Sequence, residues 1–158
     1  MDNNDILIRL RYALDLKNAE MVEIFKLGGI EVSPLELPLI LTKSDSEEEN
    51  ITCDNVMFES FLNGLITFKR GPKPGAETPE LTLARSTNVN NHLLKKVKIA
   101  LALTTEEMIE IFDLAGLQVT KGELGALLRK EGHKNYKACG DKFARNFLKG
   151  LAVKYRGA

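Results

Sequence analysis

The chain has 158 residues, and its 22 lysines and arginines balance its 22 aspartates and glutamates, so no net charge attracts it to nucleic acid or to an anionic membrane. Hydrophobic residues make up an ordinary 44% of the chain, and they nowhere run unbroken for the roughly 18 positions that a membrane-spanning helix requires. The acidic start, MDNNDILIRL, does not look like a signal peptide, and two cysteines are too few for a disulfide framework, so we expect a cytoplasmic protein.

The chain contains two copies of one sequence segment. The stretch NNDILIRLRYALDLKNAEMVEIFKLGG, which begins at Asn3, aligns with NNHLLKKVKIALALTTEEMIEIFDLAG, which begins 87 positions later. After a one-residue gap the alignment continues, so that Cys53 falls on Cys139 and Arg70 on Arg156. Self-similarity of this kind is typical of a duplicated structural unit. We therefore predict a first module at 1–71, a linker at 72–87 and a second module at 88–158.

Each copy predicts four helices, and the first two have apolar residues at helical spacing. In the first helix these are Ile6, Leu10, Ala13 and Leu14, matched by Leu93, Val97, Ala100 and Leu101. In the second they are Met21, Ile24 and Phe25, matched by Met108, Ile111 and Phe112. Thr104 and Glu107 have the spacing of a capping box at the start of the second helix in copy two. Gly29 and Gly116 follow the second helices, where a helix end favours a left-handed residue without a Cβ.

The third helix has the clearest start signal in the chain. In copy one, Ser33-Pro34-Leu35-Glu36 gives an N-cap serine, a proline at the first helical position and a glutamate that reaches back to the cap. In copy two, Thr120 and Glu123 repeat the cap and the glutamate. The pattern predicts helices that begin immediately after Ser33 and Thr120. Their core faces are Leu37, Ile40 and Leu41, matched by Leu124, Leu127 and Leu128.

The fourth helix has an apolar face that is rich in aromatic residues. We predict that it packs Met57, Phe61, Leu65 and Phe68 into the core in copy one, and Phe143, Phe147, Leu151 and Tyr155 in copy two. No segment of the chain alternates apolar and polar residues for long enough to predict a strand. The predicted fold class is therefore all-α.

The stretch between the copies, KRGPKPGAETPELTLARSTNVNN, contains three prolines and two glycines. This composition is typical of an extended linker, with Leu81 and Leu83 available to dock on one module. A module of about 70 residues is only marginally stable alone. We therefore expect two tandem four-helix modules that pack together, either around a pseudo-two-fold axis or as stacked neighbours.

The duplicated pattern of EMVEIFKLGGIEVSPLELPLIL and EMIEIFDLAGLQVTKGELGALL resembles the YehS-like family of uncharacterised bacterial proteins, which carry a tandem-repeat domain of unknown function. The resemblance covers essentially the whole chain, including the repeat and the linker. It implies a bacterial, cytoplasmic, all-helical protein without an assigned function. It carries over no catalytic or binding residues.

The sequence contains no signature of an enzyme, a cofactor site or a metal site. His92 and His133 have no cysteine, histidine or aspartate partner at the spacing of metal ligands. The glycine-rich phosphate loops and the GxSxG nucleophile elbow are missing. Cys53 and Cys139 lie at matched positions before the fourth helix, and we interpret them as small buried residues, because cysteine is among the most buried residue types. We expect no catalytic, cofactor-binding or metal-binding residues.

The two copies differ in charge. Positions 1–75 carry 8 basic and 13 acidic residues, and the remainder carries 14 basic and 9 acidic ones. On a helix that turns about 100° per residue, four basic residues of the last helix fall in one stripe opposite its apolar face. They are Lys142, Arg145, Lys149 and Arg156. The equivalent residues of copy one are Val56, Glu59, Asn63 and Arg70, so the copies have diverged in charge along this stripe.

Two functions remain open from the sequence. The first is a non-enzymatic protein–protein interaction module whose partner is another protein or a second copy of the chain, because the sequence is helical, capped and duplicated but has no chemical motif. The alternative is a nucleic-acid-binding protein that uses the basic stripe on DNA or RNA. The stripe is also compatible with a solvated face, or with a contact to the acidic half of a neighbouring molecule.

Overall fold

A computed structural model describes residues 1–43, 45–72, 81 and 88–157, and these residues form helices and no strand. The helices are α1 (Asn3–Ala13), α2 (Asn18–Leu27), α3 (Leu37–Ile40), α4 (Asn55–Arg70), α5 (Val89–Ala100), α6 (Thr105–Leu114), α7 (Lys121–Leu128) and α8 (Asp141–Arg156). The all-α prediction, with four helices in each copy, is confirmed. The predicted linker at 72–87 lies outside the described residues except for Pro72 and the partly buried Leu81, and Leu83 lies outside them too.

The third helix of copy one is shorter than the sequence predicts. The capping box exists, because the Ser33 amide donates to Glu36 Oε1 at 3.0 Å and the Glu36 amide donates to Ser33 Oγ at 3.1 Å. However, the residues after Ser33 form a turn, and α3 begins only at Leu37. Pro38 has no amide hydrogen to donate to the carbonyl of Pro34, so the first α-helical turn lacks one of its bonds. In copy two, which lacks these prolines, α7 begins directly after Thr120, as predicted.

The first helix of each module packs against the fourth helix of the other module, with α1 alongside α8 and α5 alongside α4. In the first pair, the chain's amino group lies 3.2 Å from Asp141 at the start of α8, and Arg156 at the end of α8 donates to the carbonyl oxygen of Tyr12 near the end of α1. In the second pair, Arg70 donates to the carbonyl oxygen of Ile99. Both pairs are therefore parallel. The modules are related by a pseudo-two-fold axis, which is one of the two arrangements that the sequence left open.

Within each module, the second and fourth helices cross at a glycine. A Cβ built on Gly64 would lie 1.9 Å from the carbonyl oxygen of Ile24, and one built on Gly150 would lie 1.9 Å from that of Ile111. Both distances are far shorter than any real Cβ contact, so the two crossings require glycine. The predicted left-handed helix ends are also present, since φ is 94° at Gly29 and 84° at Gly116.

A buried asparagine near the start of each first helix connects that helix to the loop before the fourth helix. Asn4 donates from Nδ2 to the carbonyl oxygens of Ile40 and Ile51, at 2.8 and 2.9 Å, and its Oδ1 accepts from the Cys53 amide at 2.9 Å. Asn91 makes the equivalent three bonds, to Leu127, Lys137 and Cys139. Because buried backbone groups need hydrogen-bond partners, each asparagine stabilises a loop that has no regular structure of its own.

The predicted apolar faces form one core that continues through both modules. Phe25 and Phe61 lie within it in module one, with ring centroids 5.0 Å apart, and Phe112 and Phe147 in module two, 5.6 Å apart. The prediction for Tyr155 is wrong, because its side chain is 43% exposed. The one-residue gap in the alignment aligns Tyr155 with the exposed Lys69, not with Phe68, so this position faces outward in both copies.

Candidate interaction surfaces

The basic stripe predicted on the last helix is divided between two roles. Lys142, Arg145 and Lys149 are exposed along α8. Arg156 is not part of this free surface, because its guanidinium group is engaged with α1. Its Cζ lies 4.4 Å from the centroid of the Tyr12 ring, and its Nη1 donates to Asp15 Oδ1 at 2.9 Å. The predicted polyanion-binding stripe therefore keeps three exposed residues, and Arg156 instead connects the two modules.

The pseudo-two-fold axis relates Arg9, an exposed residue of α1, to Lys96 on α5. In the α4–α5 pair, Lys96 lies close enough to Glu59 for their charges to interact. Their equivalents in the α1–α8 pair are Arg9 and Arg145, and both side chains are exposed. Sequence reasoning missed Arg9 because a helical projection finds stripes on one helix only. The internal alignment matches Arg9 with Lys96 and Arg145 with Glu59. This match indicates a shared surface only when it is also known that α1 packs on α8.

The corresponding stripe of α4 is buried at its centre, at Glu59 and Asn63, and there it contains the opposite charge. Glu59 is only 1% exposed, and its Oε2 lies 3.7 Å from Nδ1 of His92 on α5. Burial lowers the pKa of His92, and the neighbouring Glu59 carboxylate opposes this shift. Burial also lowers the pKa of Lys96, again opposed by Glu59. The buried carboxylate of α4 therefore lies close to two basic groups of α5, at the contact between the modules.

A groove of about 810 Å³ lies where the carboxyl ends of α4 and α5 meet, and we call it the inter-module groove. It is lined by Ile66, Arg70, Gly71, Pro72, Lys98, Ile99, Ala102 and Leu103. Ile99 is 47% exposed, Arg70 is exposed, and Lys98 is partly buried. The groove thus combines apolar walls with two cationic side chains. Sequence reasoning did not single out these residues, because they come from helices of different modules.

The chain matches a protein family and a close relative, but neither match indicates a chemical activity. Residues 3–71 and 90–157 each match the family described as a protein of unknown function, DUF1456. The chain belongs to the DUF1456 family. It is 40% identical over 154 residues to the uncharacterized protein YehS of Escherichia coli K12, a match that covers 98% of this chain and 96% of that protein. No solved structure matches the chain.

The described part of this DUF1456 chain contains no group of three or more histidine, cysteine, aspartate or glutamate side chains that could hold a metal ion. None of its described helices is both long and apolar enough to cross a membrane. Cys53 and Cys139 are free and buried, as predicted. Burial raises the pKa of the Cys53 thiol to about 12 and that of Cys139 to about 11, with neighbouring aspartates adding to both shifts. Neither thiol has the lowered pKa of a reactive cysteine.

Proposed function

We propose that this DUF1456 protein is a non-enzymatic, cytoplasmic protein-interaction module whose partner docks in the inter-module groove. The observation that carries the proposal is the composition of the groove. Exposed apolar side chains at Ile99 and Ala102 lie beside Arg70 and Lys98. Arginine is one of the residue types that dominate binding energy in protein interfaces, and the apolar side chains beside Arg70 offer surface for a partner to cover.

The position of the groove supports this proposal. It is formed by α4 of module one and α5 of module two, so it exists only when both modules are packed together. A duplicated chain gains such a surface because neither copy supplies it alone. Ile99 and Ala102 of the groove are replaced by Tyr12 and Asp15 in the α1–α8 pair, so the two module contacts present different side chains.

Site-specific photo-crosslinking in cells tests the proposal. A photoreactive amino acid replaces Ile99 in the full chain, and a matched control carries it at Leu35, which is 86% exposed and lies outside the groove. We expect a discrete adduct with one protein from position 99 only, and its loss when Arg70→Glu is added. No discrete adduct from position 99, or one that also forms from position 35, would show that the groove does not bind a protein partner.

Nucleic-acid binding is a second candidate, favoured by the exposed surface formed by Arg9, Lys142, Arg145 and Lys149. Binding through phosphate contacts weakens steeply as salt increases. The test is fluorescence anisotropy of labelled duplex DNA and single-stranded RNA at low and physiological salt. The variant is Lys142→Glu, Arg145→Glu and Lys149→Glu.

The matched control for this variant has the same change in net charge at exposed positions of module one: Lys17→Glu, Lys26→Glu and Lys43→Glu. Binding that both triple variants lose equally, or no binding at low salt, would exclude the basic surface as a nucleic-acid site.

A further inference from the structure

Arg70 and Arg156 occupy equivalent positions at the ends of α4 and α8, and both reach across to the other module. Arg156 Nη1 donates to the carbonyl oxygen of Tyr12 at 3.3 Å, and Arg70 Nη1 donates to that of Ile99 at 3.3 Å. Tyr12 and Ile99 are themselves equivalent, 87 positions apart. The pseudo-two-fold axis therefore applies to individual hydrogen bonds at these two contacts.

The two contacts differ in the side chains that surround the arginine. The Arg156 guanidinium lies on the Tyr12 ring, with 4.4 Å from Cζ to the ring centroid, and bonds the Asp15 carboxylate at 2.9 Å. The equivalents of Tyr12 and Asp15 are Ile99 and Ala102. The backbone is the same in both contacts, since φ is 51° at Asp15 and 52° at Ala102. The difference is therefore one of side chains alone.

Because of this difference, the cations of the inter-module groove lack the carboxylate that Asp15 supplies to Arg156. Within the described ranges, neither Arg70 nor Lys98 forms an ion pair with a carboxylate. Arg11, the equivalent of Lys98, instead donates to the side chain of Asn18, and the residue equivalent to Asn18 is Thr105. The groove thus has a guanidinium and an ammonium group beside apolar walls, and it lacks the ring and the carboxylate that complete the other contact.

We propose that the inter-module groove binds a segment of a partner protein that presents an aromatic ring and a carboxylate three residues apart, as Tyr12 and Asp15 are presented to Arg156. This inference rests on the proposed function and specifies the chemistry of the partner. The ring stacks on the Arg70 guanidinium, where cation–π attraction favours it. The carboxylate pairs with Arg70 and Lys98, in the charge-assisted geometry that arginine prefers. Ile66, Ile99 and Leu103 supply the apolar contact for the edge of the ring.

The chain itself supplies the probe for a test. The peptide acetyl-RYALDLK-amide has the sequence of residues 11–17 and carries the ring and the carboxylate at the required spacing. The control peptide, acetyl-RIALALK-amide, replaces both with the side chains of Ile99 and Ala102. Each is titrated into the isotope-labelled full chain while backbone amide resonances are followed by NMR. We expect saturable shifts at Lys98, Ile99 and Leu103 with the first peptide, and binding weaker by roughly tenfold or more with the control.

Two protein variants decide whether the peptide binds where we propose. Ile99→Tyr with Ala102→Asp places beside Arg70 the side chains that surround Arg156, so it should occupy the groove and abolish the shifts. Tyr12→Ile with Asp15→Ala removes the ring and the carboxylate beside Arg156, so a second set of shifts should appear at α1 and α8. Arg70→Glu serves if either double variant fails to fold, and it should also abolish binding.

The outcomes separate this inference from the proposed function. No saturable shifts with the wild-type chain, or shifts that persist in Ile99→Tyr with Ala102→Asp, would overturn the inference. If a partner is still crosslinked at position 99 while the peptide does not bind, the groove takes a protein of different chemistry, and only the inference fails. Peptide binding without a cellular adduct at position 99 would support the inference and refute the proposed cellular role.

Discussion

The carboxylate of Asp15 accepts a hydrogen bond from the guanidinium group of Arg156 across 2.9 Å, and this bond joins the end of α1 in module one to the end of α8 in module two. Asp15 has a left-handed backbone conformation, with φ at 51°. Its equivalent, Ala102, has the same conformation without the side chain that would pair with Arg70. The duplication has therefore kept the backbone of both contacts and only one of the two ion pairs.

We predict that Ala102→Asp stabilises the protein by roughly 0.5–1 kcal/mol. The new carboxylate gains a partner in Arg70, and exposed ion pairs contribute roughly 0.2–1 kcal/mol. Aspartate also tolerates the left-handed region better than alanine does. Urea denaturation at low and high salt measures the effect. Ala102→Gly is the matched control, because it relieves the backbone without adding charge. A gain that is the same for both variants and does not depend on salt would show that no ion pair forms.

Much of the fold could be predicted because its signals are local. The Thr104–Glu107 and Thr120–Glu123 capping boxes are present with both reciprocal hydrogen bonds, since each needs only residues within one helical turn. The repeat and the apolar helix faces could also be predicted from the sequence. The pairing of α1 with α8 could not be predicted, because an apolar stripe indicates that a helix face is buried without indicating which helix covers it.

The candidate surfaces were harder to predict for the same reason. A helical projection places Arg156 in one stripe with Lys142 and Lys149. It cannot show that the side chain of Arg156 contacts Tyr12 and Asp15. The inter-module groove combines positions that are far apart in the chain, such as Ile66 and Ile99. Its most informative feature is a difference between the two copies, because Tyr12 in copy one is aligned with Ile99 in copy two. This difference indicates a binding surface only when the contact between Tyr12 and Arg156 is known.

We expect Gly64→Ala and Gly150→Ala each to destabilise the protein by about 3 kcal/mol or more. The added methyl group would meet the backbone carbonyl of Ile24 or Ile111 at 1.9 Å, and a helix backbone cannot move aside as a side chain can. Thermal and urea unfolding measure the loss. Gly125→Ala in α7 is the control, because a Cβ there meets nothing within 4 Å. It should stabilise the chain by roughly 0.5–1 kcal/mol, as alanine favours a helix over glycine. Equal effects at all three positions would contradict the close crossings.

Asn4→Ala and Asn91→Ala should each cost roughly 3 kcal/mol. Each removes three hydrogen bonds at once, and a buried donor or acceptor left without a partner costs roughly 1–3 kcal/mol. Asn50→Ala is the control, because Asn50 donates a single exposed bond, to the carbonyl oxygen of Lys43. It should change the free energy of unfolding by less than about 0.5 kcal/mol. If Asn4→Ala were as mild as Asn50→Ala, the buried network would not hold the loop before α4.

The stability of the fold should fall as pH decreases below about 6.5, and His92 should account for part of this fall. Burial lowers the pKa of His92 in the folded state, opposed by Glu59 and Glu131 and reinforced by Lys95 and Lys96. The unfolded chain therefore binds a proton more readily than the folded chain once pH falls through 6.5, the ordinary pKa of histidine. The stability is fully present above this pH and is lost as pH falls through the lowered pKa.

Urea denaturation of His92→Gln at several pH values between 7.5 and 5 tests this assignment. The variant should have a flatter dependence of the free energy of unfolding on pH than the wild-type chain. His133→Gln replaces the other histidine, which lies exposed in the loop between α7 and α8, and is the matched control. If the wild-type slope survives in His92→Gln and disappears in His133→Gln, the buried site does not titrate as proposed.

Cys53 and Cys139 should both resist thiol reagents in the folded protein. Their pKa values of about 12 and about 11 leave almost no thiolate at neutral pH, and both side chains are buried. Reaction with a chromogenic disulfide reagent should therefore be slow under native conditions, and should release two equivalents of thiol when urea unfolds the chain.

Asn4→Ala and Asn91→Ala refine the test, because each asparagine accepts a hydrogen bond from the amide of one cysteine. Each variant should accelerate the reaction of its own cysteine alone. Fast labelling of either thiol in the native wild-type chain would contradict the packing of these loops.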